Sequence, residues 1–121
     1  MRTRLPWCGV ALLALAACAT APEGVVKEGA PFDFTSAHTP YSAAICIARN
    51  AKAMGGGITG EERLLGDSST EVVVRPASGS RDTLATAQIH RDGVMSKVAV
   101  WVSRTLRADS KGFAHKLMAD C

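Results

Sequence analysis

Thr83-Leu-Ala-Thr-Ala-Gln-Ile-His-Arg-Asp-Gly-Val-Met-Ser-Lys-Val-Ala-Val-Trp-Val102 is the stretch on which the fold turns. Residues 83–90 alternate. Ala85, Ala87 and Ile89 fall on one side, and Leu84, Thr86, Gln88 and His90 on the other, because successive strand side chains point to opposite faces. Arg91-Asp92-Gly93 predicts a tight turn, since Asp-Gly tolerates positive φ. A second alternating run follows from Val94 to Arg104. Val98, Val100 and Val102 make its apolar face; Lys97, Ala99, Trp101 and Ser103 make the other. Two such runs joined by Asp-Gly read as an antiparallel hairpin.

Working outward, Glu71-Val-Val-Val-Arg75 is β-branched and stopped by Pro76, which predicts a third strand. Ala77-Ser-Gly-Ser80 supplies the turn between them. Further upstream, Thr39-Pro40 has the form of an N-cap followed by proline at the first helical position. The helix runs through TPYSAAICIARNAKAM, with Tyr41, Ala44, Ile45 and Ala48 on one stripe and Cys46 near its edge. Gly55-Gly-Gly57 ends it. The stretch ITGEERLLGDSS reads either as one helical turn, with Thr59 and Glu62 as a capping box, or as a loop. At the other end, Asp109 or Ser110 caps a helix in which Phe113, Leu117 and Cys121 recur every fourth residue. The expectation is an α+β fold: a two-layer α-β-β-β-α unit, with a three-stranded antiparallel sheet and two helices on one face. The opposite face of the sheet is then partly open to water.

The N-terminus carries an address. Met1-Arg-Thr-Arg4 precedes an uncharged run from Leu5 to Ala17, the form of a signal peptide. At about 13 residues, or roughly 20 Å of helix, the run is short for a hydrocarbon core of ~30 Å. Its end, Leu15-Ala16-Ala17-Cys18, resembles the lipobox of bacterial lipoproteins. That resemblance implies cleavage before Cys18, a lipid on its sulfur, and a membrane anchor of several acyl chains. Ala19, where aspartate would retain an inner-membrane lipoprotein, leans toward the outer membrane, facing the periplasm. The alternative is an ordinary secretory signal cut at Ala17-Cys18-Ala19. Residues 1–17 are thus assigned to the signal peptide, 18–39 to the lipidated cysteine and a flexible tether, and 40–121 to a single small domain. Within the tether only Phe32 and Phe34 are suited to dock on the domain.

With the signal removed, about 104 residues remain, enough for one small domain. Their charges nearly balance, formally about +1 once Arg2 and Arg4 leave. No run of Lys and Arg offers a stripe for nucleic acid. Of the 4 cysteines, Cys8 leaves with the signal and Cys18 takes the lipid. Cys46 and Cys121 remain, an even pair in an oxidising compartment, and a disulfide between them is expected. Two free thiols or a metal pair are the alternatives, without nearby partner ligands. The bridge would close a loop of about 76 residues, worth roughly 4.5 kcal/mol in the chain-entropy account.

Cys46-Ile47-Ala48, Val72 to Pro76, Gly79-Ser80 and Ala119-Asp-Cys121 together resemble small lipoproteins and secreted proteins of proteobacteria. The likeness spans roughly residues 40–121. It implies the same fold and disulfide, and carries no activity with it.

Candidates for chemistry are few. Gly66-Asp67-Ser68 is similar to the nucleophile block of GDS-type esterases, but such enzymes need a paired Asp/His and an oxyanion hole from a larger fold. Gly55–Gly57 lacks the Lys-Ser/Thr of a phosphate loop. His38, His90 and His115 share no ligand spacing. Trp101 stands out. Alternation points it away from the valine face, beside Lys97 and across from Gln88 and Thr86, as an aromatic on a binding face would stand. The competing reading has the tether cover it through Phe32 and Phe34. The expected function is a non-catalytic, membrane-anchored envelope module. It would bind a protein or glycan partner through Trp101, Lys97, Gln88 and Thr86, without cofactor or metal. The alternative is a periplasmic enzyme inhibitor or immunity-type protein, with contacts on loop tips such as Gly66–Ser69.

Overall fold

The computed structural model describes Lys27 and residues 29–66, 68–77, 82–104 and 108–121. The expected signal peptide, the lipobox-like stretch with Cys18 and Ala19, the expected tether up to residue 26, Asp67 and the expected Gly79-Ser80 turn lie outside the described residues. The elements are β1 (Phe32–Ser36), α1 (Pro40–Ala53), β2 (Thr59–Leu64), β3 (Ser69–Arg75), β4 (Ala85–Asp92), β5 (Met95–Val102) and α2 (Ser110–Met118).

The fold is α+β, but the expected three-stranded sheet is corrected to five antiparallel strands in the order β1-β5-β4-β3-β2. The hairpin and the valine strand form its centre as read. The two additional strands are its edges. β1 comes from the stretch assigned to the tether: Phe32 pairs with Val100 and Phe34 with Val98, and both rings pack against the core. The folded unit therefore includes residues 32–36. β2 comes from TGEERL, read as a helical turn or loop. Its residues carry no apolar alternation because an edge strand covers little core. What recruits it is backbone pairing with β3, Gly60 opposite Val74 and Glu62 opposite Val72.

The central turn is one residue later than read. Asp92 pairs with Met95, leaving Gly93-Val94 as a two-residue loop. Gly93 has φ 65°, a conformation that glycine takes cheaply at the first central position of a hairpin turn.

Both helices lie on one face of the sheet, as the apolar faces of its central strands require. Val72 and Val74, Ala85, Ala87 and Ile89, and Val98, Val100 and Val102 form one core cluster with Ile47 of α1 and Phe113 and Leu117 of α2. α1 begins as predicted: Thr39 is the N-cap, its side chain accepting from the Ser42 N–H, with Pro40 following. The buried stripe is rotated from the expected one. Ala43, Ala44, Ile47, Ala48 and Ala51 are buried, Ile45 is half-buried and Tyr41 is 52% exposed. An alanine-rich helix has little contrast between its faces, so the sheet chooses which side docks. The choice favours close approach. A Cβ on Gly60 of β2 would stand 2.8 Å from the Ala48 Cα.

α2 is capped by Asp109, whose carboxylate accepts from the Gly112 N–H at 3.1 Å. Phe113 and Leu117 are buried as predicted. Beyond the helix Asp120 takes φ 59°, and Cys121 forms the disulfide with Cys46, Cα–Cα 5.7 Å. Two side chains hold this end further. Asn50 Nδ2 donates to the carbonyls of Leu117 and Ala119, each at 2.8 Å, and the Ser36 hydroxyl donates to the Cys121 carbonyl. The last residue of the chain is thus tied to α1 and β1.

Candidate functional site

The sheet face turned away from the helices holds the residues that the sequence singled out. Strand register arranges them in rows. Glu61, Val73, Thr86 and Trp101 form one row. Arg63, Glu71, Gln88, Ala99 and Asp33 form the next. Ser69, His90, Lys97 and Thr35 form the third.

Exposure changes across these rows. Thr86 and Val73 are fully buried, and Glu71 is 5% exposed. Trp101, Gln88 and Ala99 are half-buried, and His90, Lys97 and Thr35 are exposed. The face is closed around Thr86 and open toward the β4–β5 turn. A shallow hollow of about 490 Å³ lies at the open side, where Lys97 and His90 meet Asp33 and Thr35.

The four expected binding residues therefore stand in different surroundings. Lys97 reaches Asp92 at 3.7 Å, both side chains in solvent. Gln88 Nε2 donates to Glu71 Oε2 at 3.5 Å. Thr86 offers no accessible surface. Trp101 is met by Lys27, whose Nζ stands 5.7 Å from the ring centroid, inside the range of cation–π attraction. The connecting segment does reach Trp101, but through this lysine; Phe32 and Phe34 pack on the opposite, helix-covered face. The same Nζ is 4.0 Å from Glu71 Oε2, with Lys27 41% exposed and the Glu71 side chain 6% exposed. Close by, Glu61 Oε1 lies 3.6 Å from Arg63 and 3.9 Å from Arg75.

Glu71 and Lys27 were missed by sequence reasoning. Glu71 was read as the flank of a valine run, although strand alternation sets it with Val73 and Arg75 opposite Val72 and Val74. That parity was the available signal. Lys27 carried none, since nothing local says which face a connecting segment crosses.

The remaining candidates do not converge. His90 Nδ1 is 2.8 Å from the Ser69 hydroxyl on the outer face. His38 sits at the β1–α1 turn, its carbonyl accepting from Ser96 Oγ at 2.7 Å. His115, on α2, meets Phe34 edge-on at 5.2 Å. Among the described residues no three His, Cys, Asp or Glu side chains gather as a metal site. Gly66 and Ser68 are exposed in the β2–β3 turn. No helix among the described residues is long and apolar enough to cross a membrane. No family model, curated protein or solved structure matches the chain.

Proposed function

We propose that this chain is a non-catalytic, membrane-anchored lipoprotein of the bacterial envelope, lipidated on Cys18, whose domain binds a partner through the outer face of its sheet. The anchor rests on the likeness of Leu15-Ala-Ala-Cys18 to a lipobox. An oxidising compartment is supported by the Cys46–Cys121 bridge, since such bridges persist mainly outside the reducing cytosol. The observation that carries the binding face is Trp101, half-buried on the side of the sheet that neither helix covers. Amphipathic aromatics at the edge of burial are favoured anchors in interfaces. In-cell cross-linking of the tagged chain, followed by mass spectrometry, tests this. A specific partner recovered with the native chain and lost with Trp101→Ser is the expected outcome. Equal recovery from both makes Trp101 a packing residue only.

A second reading, an inhibitor or immunity-type protein, is favoured by a different observation. Two hairpin tips at the same end of the sheet carry exposed apolar side chains: Leu64 71% and Leu65 50% on one, Val94 90% and Met95 38% on the other. They are held side by side by the Arg91 N–H, which donates to the Ser68 carbonyl at 3.0 Å. A partner lost with Leu65→Ser and Val94→Ser, yet kept with Trp101→Ser, would select this reading.

A further inference from the structure

Glu71 is a carboxylate at 5% exposure in the middle of the outer face. A buried carboxylate is costly unless paired, and among the described residues Lys27 brings a cation within reach, with Gln88 donating from the side. The same ammonium stands above the Trp101 ring. An aromatic face and a buried carboxylate converging on one primary ammonium is the chemistry by which lysine side chains are recognised. Two strands away from that carboxylate, the connecting segment touches the fold again, where a Cβ on Gly29 would meet the Arg104 guanidinium at 3.2 Å.

We propose that Glu71, Trp101 and Gln88 form a primary-ammonium site, that Lys27 fills it from within the chain, and that a partner engages the site by inserting a lysine of its own. Lys27 is then a built-in competitor. Its side chain is 41% exposed and its ammonium is 4.0 Å from Glu71, so the hold is that of a half-solvated ion pair, weak enough to be displaced. The apparent affinity of an incoming lysine is lowered by the fraction of molecules in which Lys27 is seated. The inference rests on the proposed function only in placing the contact on the outer face. Because the ligand site is tested on the isolated protein and the partner in cells, the two can fail separately.

The test uses the full chain carrying Trp7→Phe, so that Trp101 is its one tryptophan, with the indole N–H resonance and acrylamide quenching as readouts. Lys27→Met should lower the seated population about two- to fivefold, seen as stronger quenching and a moved indole resonance, while Lys27→Arg retains the native values. The Met variant should then bind Nα-acetyl-lysine methylamide saturably. The parent needs about two- to fivefold more of it, because its own lysine competes. The same probe acetylated on Nε, and so uncharged, should leave the resonance unmoved. Quenching and resonance unchanged in Lys27→Met overturn the internal occupancy. A resonance that the charged probe does not shift saturably, or that both probes shift alike, overturns the ammonium site.

Discussion

The two faces of the sheet use the same strands and are built on opposite principles. On the inner face, alanines, valines, Ile89 and two phenylalanines meet two helices at close range, and the chemistry is burial alone. On the outer face, the same strands carry Glu71, Thr86, Gln88, His90 and Trp101, and Lys27 of the connecting segment meets Glu71 and Trp101. Closure of the inner face depends on shape, as Gly60 against Ala48 shows. The outer face near Trp101 is held by charge and an aromatic ring. A face closed by shape resists displacement. One closed by a half-solvated cation can be reopened, which is the property a binding surface needs.

That contrast can be broken by substitution. Phe113→Ala, at 2% exposure in the inner core, should cost about 3–5 kcal/mol in urea denaturation. Removing the disulfide with Cys46→Ala and Cys121→Ala should cost about 2–5 kcal/mol by the same measurement. It should loosen the C-terminal end, although Asn50 still donates to the Leu117 and Ala119 carbonyls. Gly60→Ala should cost about 1–3 kcal/mol. The added methyl meets the backbone of α1, which cannot rotate away as a side chain can. The helix must shift, and hydrogen exchange in α1 should quicken. Lys27→Met, on the outer face, should change stability by no more than about 1 kcal/mol. If Lys27→Met instead cost as much as Phe113→Ala, the outer face would be a second core and the contrast would fall.

Much of this was legible from alternation. The β4–β5 hairpin, the valine strand, the Thr39-Pro40 start of α1, the capped C-terminal helix and the Cys46–Cys121 pair can all be read locally, because each is set by periodicity, turn chemistry or count. The edges could not. In β1, Phe32-Asp33-Phe34-Thr35 does alternate, but it is short and follows a Pro/Gly-rich stretch. In β2, Thr59–Leu64 has no apolar face to display, because few side chains cover an edge strand. The docking side of α1 was equally hidden, since alanine at five of its 14 positions leaves little contrast between its faces.

The outer face divides in the same way. Strand parity alone predicts that Trp101, Lys97, Gln88 and Thr86 share a side. It says nothing of their depth, and the structure separates them from fully buried Thr86 to solvent-exposed Lys97. What the sequence by itself determined are the features whose cause lies within a few residues: alternation, caps, the Gly93 turn, and the parity that groups the outer-face side chains. Only the tertiary structure decided the edge strands, the rotation of α1 and the meeting of Lys27 with Glu71 and Trp101. Those depend on pairing and packing between separate segments, from β2 against neighbouring β3 to Lys27 against Glu71, 44 residues further along the chain, for which no local pattern carries the information.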